Sequence, residues 1–578
     1  MFKLRRLVAP VTVVAVASAL FVSGYIHFHL AGNYLHNTAS WALGQTLIFR
    51  LQAVVASAVA IALLTIRRRA AELLIASGIL LLGSALAVVV YRYVDVGRVL
   101  IVPDMYEPVW YREKVVSAVV EAAGGLAALL LVRPAVQAAK LRLATPTRIL
   151  IVGGGYIGMN TARVLQRRIQ LGQGGASVTV VDPSSHMTYQ PFLPEAAAGS
   201  LDPRHVVIPL RAVLPDCTVV TGSVTRLNHA RRSAAITTPT GMKYSLDYDH
   251  LVFAAGSVAR TLPIPGLDKV GIGFKSIQEA IYLRNQVLSQ LDAASTTMDP
   301  EARVKALTFL VIGGGFAGIE CLAELEDLAR SATRLHPNIV PADLRWVLVE
   351  ASDRILPEVS ADLGDYTARQ LTARGIWIML GTRVDSLLDG HVTLSDGTPF
   401  DAGTVIWTAG VKANPLLAKT DLPVDDRARL RAEASLKVSG LERAWTAGDV
   451  AAIPDLAGAA GTTCAPTAQH AIRQSRRLAD NIVRELQGKR PRDYRHRSAG
   501  SVASLGLYKG VAEIYGVKLR GFPAWFIHRT YHVAQVPTLN RKVRIITDWT
   551  VALFFRREIA ALGAQADPRA AFRAAAKQ

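Results

Sequence analysis

Cysteine is nearly missing from this chain. Cys217, Cys321 and Cys464 are the only three in 578 residues, and no two form a CxxC pair. That argues against a disulfide framework, a zinc ribbon and a dithiol oxidoreductase. No metal is expected. Acidic residues are also scarce beside basic ones, 45 against 65, which leaves a net charge of +20. Nucleic acid is one partner for such a surplus. Many of the Lys and Arg flank apolar runs, however, so the expected partner is a lipid bilayer with anionic headgroups and no nucleic acid. What the chain has in excess is apolar character: 51% of residues are hydrophobic, and the first 132 are mostly so. At this length one core is too few, and three or four domains are expected.

Four apolar runs open the chain: Leu7–Leu30, Leu43–Ile66, Ala71–Val90 and Val115–Val132. Each is near the length of a membrane-spanning helix. Lys3, Arg5 and Arg6 precede the first, Arg67, Arg68 and Arg69 separate the second from the third, and Arg133, Lys140, Arg142 and Arg148 follow the fourth. By the positive-inside rule these ends are cytoplasmic. Aromatics, among them Tyr25, Phe28, Tyr34, Trp41, Tyr91, Tyr106 and Trp110, mark the other face. An even number of spans returns the rest of the chain to the cytoplasm, as expected for a multi-pass protein of the cell membrane. The basic start, apolar stretch and Ala17-Ser-Ala19 also have the make-up of a cleavable signal peptide. Cleavage would leave three spans and carry the following domains away from reduced nicotinamide, so four retained spans are the preferred reading. His27, His29 and His36 cluster at the expected outer end of the first span. Packing roles are preferred over haem or metal, because the other spans hold no histidine to complete a pair.

After a linker over 134–146, Ile149–Val152 reads as a buried parallel strand that breaks into Gly153-x-Gly155-x-x-Gly158 and a helix. The first glycine makes the tight turn, the second lets a pyrophosphate approach the backbone, and the third lets helix and strand pack closely. The next strand, Val178–Val181, ends in Asp182, an acceptor for a ribose hydroxyl. The pattern recurs. Phe309–Ile312 leads into Gly313-x-Gly315-x-x-Gly318, and the strand from Trp346 ends in Glu350. A carboxylate there favours NADH over NADPH, with Arg354 nearby pulling the other way. Two cradles suggest two nucleotides: a tightly held flavin and an exchanging nicotinamide. Gly256 ends a strand in small residues, and Gly448-Asp449 can place a carboxylate on a flavin's ribityl chain with close approach at the glycine.

Both glycine loops, the stretch Ile406-Trp-Thr-Ala-Gly410-Val-Lys-Ala-Asn-Pro415, the Thr446-Ala-Gly-Asp-Val450 turn and the helix entered at Thr467-Ala-Gln469 occur in one order. In that order they resemble type II NADH:quinone oxidoreductases, single-chain non-proton-pumping flavoproteins. The resemblance runs from about Thr147 to the end. It implies two Rossmann-like domains of the glutathione-reductase-like flavoprotein type, FAD in the first cradle, NADH as co-substrate in the second, and a membrane quinone near the flavin ring. By it, Gly153, Gly155, Gly158, Asp182, Gly256 and Asp449 hold FAD, and Gly313, Gly315, Gly318, Glu350 and Gly410 line the NADH site. Glu320 and Gln469 stand near the reacting rings. The family's second quinone-site glutamine is displaced: Arg473 holds that place and Gln474 follows it, so Gln469, Arg473 and Gln474 are all quinone-site candidates.

The expected organisation is a four-span region over 1–133, the linker, an FAD domain over 147–300 and 416–490, an NAD(H) domain over 301–415, and a membrane-associating region over 491–578. In that last region, Gly521–Tyr531 and Ile545–Phe555 suit amphipathic helices lying in the interface. A homodimer is a further expectation. The alternatives carried are a related flavoprotein with another donor, such as a sulfide:quinone oxidoreductase, a membrane redox sensor or scaffold, and onward electron transfer through a haem in the spans.

Overall fold

The structure is a computed structural model. It describes residues 2–34, 44–66, 70–97, 102–143, 146–170 and 176–561. His36, Trp41, Arg67, Arg68, Arg69 and the tail after 561 lie outside them. The chain divides into two compact units, one over Met1–Pro146 with Ile169–Gly175, the other over Thr147–Arg168 and Ala176–Gln578.

The first unit is four helices: α1 (Phe2–Leu30), α2 (Gln45–Thr65), α3 (Ala70–Tyr93) and α4 (Arg112–Leu143). All four have stretches long and apolar enough to cross a membrane, the shortest 21 residues. At 1.5 Å per residue such a helix matches the ~30 Å hydrocarbon core of a bilayer. The helices are apolar on both inner and outer faces. Val16, Leu20, Ala56, Leu63, Leu74, Leu81 and Ala128 pack inward, while Val54, Ile61, Ile79, Leu86, Val119 and Leu130 are exposed. That distribution suits lipid, not water. Small residues set the spacing. A Cβ on Gly124 would stand 2.5 Å from the Ala19 Cβ, and one on Gly125 2.6 Å from Leu82. Helices without a hydrophobic drive between them associate through such close backbone contact. α4 runs through Pro134 to Leu143, so most of the expected linker is helical. The proline removes one backbone donor, and the rest of the long helix continues around it.

The second unit is built on two parallel sheets. The first takes β1 (Thr147–Val152), followed by α5 (Tyr156–Gln170), then β2 (Ala176–Asp182), β3 (Thr218–Thr221) and β4 (His250–Phe253). The second takes β5 (Gly271–Gly273), then after α6 (Ile277–Thr296) β6 (Thr308–Ile312), and after α7 (Phe316–Ala332) β7 (Arg345–Val349), β8 (Ile376–Met379) and β9 (Thr404–Trp407). The chain then returns to the first sheet with β10 (Ala444–Thr446). The strand orders are β10-β4-β1-β2-β3 and β5-β9-β6-β7-β8. In both, the glycine-loop strand is central and the strand ending in the acid lies beside it, in register Val152↔Val181 and Ile312↔Val349. The sheets are joined by an antiparallel pair, Ser257–Ala259 with Val411–Ala413. The second sheet draws its edge strand from 271–273, ahead of the expected boundary at 301. Three residues bounded by glycines carry no apolar run from which to read a strand.

Helix α8 (Ala468–Leu486) packs on the first sheet's unit. Beyond it lie the antiparallel strands β11 (Gly500–Ser504), β12 (Gly510–Ile514) and β13 (Val517–Arg520), then α9 (Phe522–Gln535) and α10 (Leu539–Phe554). α9 buries Trp525, His528 and Arg529 and exposes Phe522 and Phe526. α10 buries Ile545 and exposes Val543, Ile546, Leu553 and Phe554.

Replacing Gly124 by Leu should force α4 away from α1. An overpacked site of this kind costs about 1–3 kcal/mol. The expected result is a lower temperature at which residues 12–132 of the detergent-purified protein become open to protease. An unchanged temperature would show that the contact does not set the packing.

Candidate functional site

The two glycine loops are tight where the chain touches itself and open where a phosphate would lie. Gly153 has φ +101°, and a Cβ there would stand 2.3 Å from the Ala254 carbonyl oxygen. A Cβ on Gly158 would stand 1.8 Å from the Gly153 oxygen. One on Gly155 meets nothing within 4 Å. The space above Gly155, at the start of α5, is therefore free for an anion facing unpaired N–H groups. The second loop repeats this. A Cβ on Gly318 would stand 1.9 Å from the Gly313 oxygen, and one on Gly315 meets only Glu358 Oε1, at 3.5 Å.

The acids that end β2 and β7 are bound in matching ways. Gly154 N donates to Asp182 Oδ2 at 2.6 Å, and Ser184 N to Oδ1 at 2.7 Å. Gly314 N donates to Glu350 Oε2 at 2.6 Å, and Ser352 N to Oε1 at 2.8 Å. Burial pushes the Asp182 carboxyl above its ordinary range despite those donors. At the more open Glu350, burial also opposes ionisation, but the donors from Ser352 and Gly314 outweigh it and the carboxyl sits low. Glu350 therefore stays charged. Arg354 turns away from it to the carbonyls of Leu356, at 3.0 Å, and Val359. Its guanidinium keeps its charge and one unbonded, buried N–H, at Nε, but makes no ion pair with Glu350.

Where the sheets meet, Ser257 Oγ donates to Asp449 Oδ2 at 2.6 Å, and Lys275 Nζ lies 3.8 Å from the same oxygen while donating to Ser257. Burial lowers the Lys275 pKa. Gly256 directly precedes Ser257, and Gly410 directly precedes the joining strand at Val411. A cavity of about 690 Å³ opens here, lined by Arg260, Val411, Arg429, Gly448 and Asp449. Ser257 closes the small-residue stretch that ends at Gly256, whereas Lys275 lies in no motif that marks it in the sequence.

The three quinone-site candidates point three ways. Gln469 Oε1 accepts from His496 Nε2 at 2.8 Å and Ala499 N at 3.1 Å, and its amide donates to the Gly500 oxygen at 3.2 Å. Arg473 Nη1 donates to the Gln469 carbonyl at 3.1 Å. Gln474 is buried, and its Oε1 accepts from Gly448 N at 2.8 Å, so it holds the turn that presents Asp449.

Glu320, on α7, belongs to a buried ionic seam beneath α9 and α10. Its Oε1 accepts from Ser504 N at 2.9 Å and lies 3.2 Å from His528 Nε2. One turn on, Glu324 meets Ser504 Oγ at 3.5 Å and Arg557 at 3.6 Å. Burial pushes the Glu324 carboxyl up, to about 7. Glu195 accepts from Arg529 at 3.0 Å and from Trp549 Nε1 at 2.7 Å, and the Arg529 guanidinium lies between the Trp525 and Trp549 rings. Burial also keeps His532 neutral, between His528 and the Tyr189–Phe192 pair. A groove of about 1280 Å³ runs along α10, walled by Trp549, Leu553 and Phe555.

Residues 147–475 match the family model for pyridine nucleotide-disulphide oxidoreductases. The chain belongs to that family. The disulphide of the family's name has no counterpart here. The three thiols are free, and burial pushes Cys464 up to about 11, Cys217 up to about 12, and Cys321 up as well. Among relatives, the chain is 29% identical over 425 residues to the type II NADH:quinone oxidoreductase Ndh of Mycobacterium tuberculosis, covering 71% of this chain and 89% of that one. It is 28% identical to the type II NADH:quinone oxidoreductase of Staphylococcus epidermidis, covering 68% and 96%. The structure of NDH2 from Plasmodium falciparum in complex with NADH superposes with a TM-score of 0.67 at 18% identity, covering 72% of this chain and all of that one, which shows the shared fold. The family match begins at Thr147, so the four-helix unit lies outside it.

The glycine geometry separates binding from folding. Gly155→Val places its side chain in open space, so the protein should fold with its melting temperature nearly unchanged while flavin content falls about tenfold or more. Gly158→Ala should fail to fold. Flavin absorbance against total protein, alongside thermal unfolding, reads both. Full flavin content in the Gly155→Val variant would show that the phosphates lie elsewhere.

Proposed function

We propose that the chain is an FAD-dependent NADH:quinone oxidoreductase of the type II, non-pumping kind. The carrying observation is the pair of matching glycine cradles, each with an acid at the end of the adjacent strand, in a chain of this family. Bound FAD supplies a carrier that takes a hydride from NADH and gives two electrons to a quinone. The residues' own work is to bind, orient and handle protons.

The first cradle, with Asp182, holds the FAD pyrophosphate and adenine ribose. Asp449, fixed by Ser257, Lys275 and Gln474 through Gly448, faces the ribityl side. The second cradle and Glu350 take NADH and disfavour NADPH, because Glu350 is held ionised beside the phosphate space. Glu320 stands with His528 near the reacting rings, and Gln469 orders the 496–500 segment beside them. Quinone reduction consumes two protons. Glu324, half-protonated near neutrality and linked to Glu320 through Ser504, is a reserve for one of them. The exposed apolar faces of α9 and α10 lie on the bilayer surface, and the aromatic wall of the groove beside α10 suits the quinone's tail.

The Lys and Arg that flank the four apolar runs support a cytoplasmic side for the ends of those runs and for the catalytic domains that follow, in a multi-pass protein of the cell membrane. The sulfide reading requires paired redox thiols, and the three thiols here have depressed ionisation. The sensor reading predicts little turnover, so turnover itself separates it.

Mixing purified protein with NADH should bleach the flavin, and a short-chain quinone should restore it. Bleaching without reoxidation would overturn the assignment. NADH should be preferred to NADPH at least about tenfold in kcat/KM, and Glu350→Ala should narrow that gap. Turnover should fall as pH rises through about 7, because Glu324 loses its proton there. Glu324→Gln should flatten that limb. If the limb persists in the variant, Glu324 is not the source.

A further inference from the structure

The groove beside α10 is lined by arginine as well as by aromatic rings. Seven arginines face it, against four acids, and most of these charges pair off. Arg204 meets Asp202 at 2.6 Å, Arg529 meets Glu195 at 3.0 Å, and Arg330 donates to Glu326 at 2.7 Å. Of the remaining acids, Asp327 meets Arg374 at 2.8 Å and Asp548 meets His205 at 2.6 Å. Arg557 lies 3.6 Å from Glu324, whose carboxyl burial pushes up to about 7.

Three cations have no acid beside them. Arg284, on α6, is only 9% exposed. Its guanidinium donates to two neutral carbonyls, of Ala560 at 2.7 Å and Glu558 at 2.9 Å, and meets no carboxylate within 4 Å among the described residues. Burial lowers its pKa, and the Glu558 charge opposes that from beyond ion-pair distance. Arg334, just past α7, donates to the Ser331 carbonyl at 2.9 Å and hydroxyl at 2.7 Å. Arg556, after α10, is exposed and has no ion pair among the described residues. Of the four acids only Glu558 lacks a cation within 4 Å, its Oε1 accepting from Ala560 N at 3.1 Å. Three guanidiniums from three segments thus line one groove with a single unpaired carboxylate, and the groove is positive. A buried cation without a counter-charge is costly, and a bound anion offsets the cost. Guanidinium matches the geometry of phosphate oxygens.

We propose that this groove holds an anionic phospholipid, its phosphodiester at Arg284, Arg334 and Arg556 and an acyl chain along Trp549, Leu553 and Phe555. The wall favours a lipid over a free phosphate: Leu553 and Phe555 are 64% and 69% exposed and continue the apolar face of α10. An acyl chain and a quinone tail suit that wall alike, but a neutral quinone leaves the cations unanswered. At about 1280 Å³ the groove exceeds an ordinary small-molecule site, so it has room for a headgroup beside a tail. The inference rests on the function proposed above in one respect, that α10 lies on the bilayer surface. No bond forms or breaks in it.

The test is photolabelling of the full chain with its flavin, in detergent micelles, by a phosphatidylglycerol carrying a diazirine midway along one acyl chain, followed by peptide mapping. Label is expected on the peptide containing 549–555. Unlabelled phosphatidylglycerol should displace it at about tenfold lower concentration than phosphatidylcholine of the same chains, whose headgroup has no net charge. The double variant Arg334→Gln, Arg556→Gln, at two exposed side chains, should cut this label about fivefold or more and bring the two lipids level. Arg284→Gln should act in the same direction; if it does not run as a single species on gel filtration, the double variant decides. Equal displacement by the two lipids in the unaltered chain, label confined to 12–132, or displacement by inorganic phosphate alone overturns the proposal. The same preparation is assayed for NADH-driven quinone reduction. Headgroup-selective label without turnover removes the enzymatic reading and leaves this site standing, and turnover without such label does the reverse.

Discussion

Each nucleotide cradle is closed by one short hydrogen bond, from the N–H of the loop's middle glycine to the acid that ends the neighbouring strand. Gly154 gives to Asp182 and Gly314 to Glu350, both at 2.6 Å. The bond ties three things together. It satisfies a donor at a helix start, where intrahelical partners are lacking. It fixes the carboxylate beside the phosphate space. It also makes the strand register matter, because a slip of one residue between β1 and β2 would turn the acid to the opposite face. Each carboxylate oxygen can accept more than one hydrogen bond, so closing the loop does not exhaust the acid's capacity for a ribose hydroxyl. The two cradles differ in one physical respect. Asp182 is the more deeply buried and its carboxyl is pushed up, whereas the more open Glu350 is held ionised by its donors. A buried acid suits a cofactor that stays, and an exposed charged one suits a substrate that exchanges.

The second constraint is the seam of buried charge under α9 and α10. Paired buried charges contribute little net stability, because desolvation opposes the attraction, but removing one partner is strongly unfavourable. The Arg529–Glu195 pair, with the contacts of His528 to Glu320 and Arg557 to Glu324 beside it, therefore acts mainly on register: the seating of α9 and α10 that forms these contacts is the one that leaves Arg529 and Glu195 paired. That seating orients their exposed apolar residues outward and brings His528 to Glu320. The helices proposed to face lipid and the residues proposed to lie beside the reacting rings are thus positioned by the same contacts.

Much of this is legible in the sequence, and the reason is locality. A glycine loop, the strand before it and the helix after it lie within a few residues of one another, and the acid at the end of the next strand follows from the strand pattern. The four apolar helices are readable from length and hydropathy. What the sequence hides is long-range. Glu195 and Arg529 are 334 positions apart, and Glu320 and Ser504 are 184 apart. Nothing near Lys275 announces that it will meet Ser257 and Asp449. Gln474 illustrates the limit from the other side. Its neighbourhood suggests a quinone ligand, but the helix turns it to the backbone of Gly448, one position away from the direction in which Arg473 points.

The four-helix unit poses a different physical question. If it served only to hold the chain at a bilayer, apolar helices meeting at Gly124 and Gly125 would suffice. Glu121 makes such an anchor worse: an acid at the centre of a span costs about 2.5–3.5 kcal/mol on insertion scales. Two serine hydroxyls offset part of that cost at one oxygen and leave the other unmet. A leucine at this position would remove the penalty and pack against the same neighbours. What the acid does supply is an interhelical tie: Ser23 on α1 donates to Glu121 on α4 at 2.6 Å, and such polar contacts fix how helices meet where lipid offers no apolar drive.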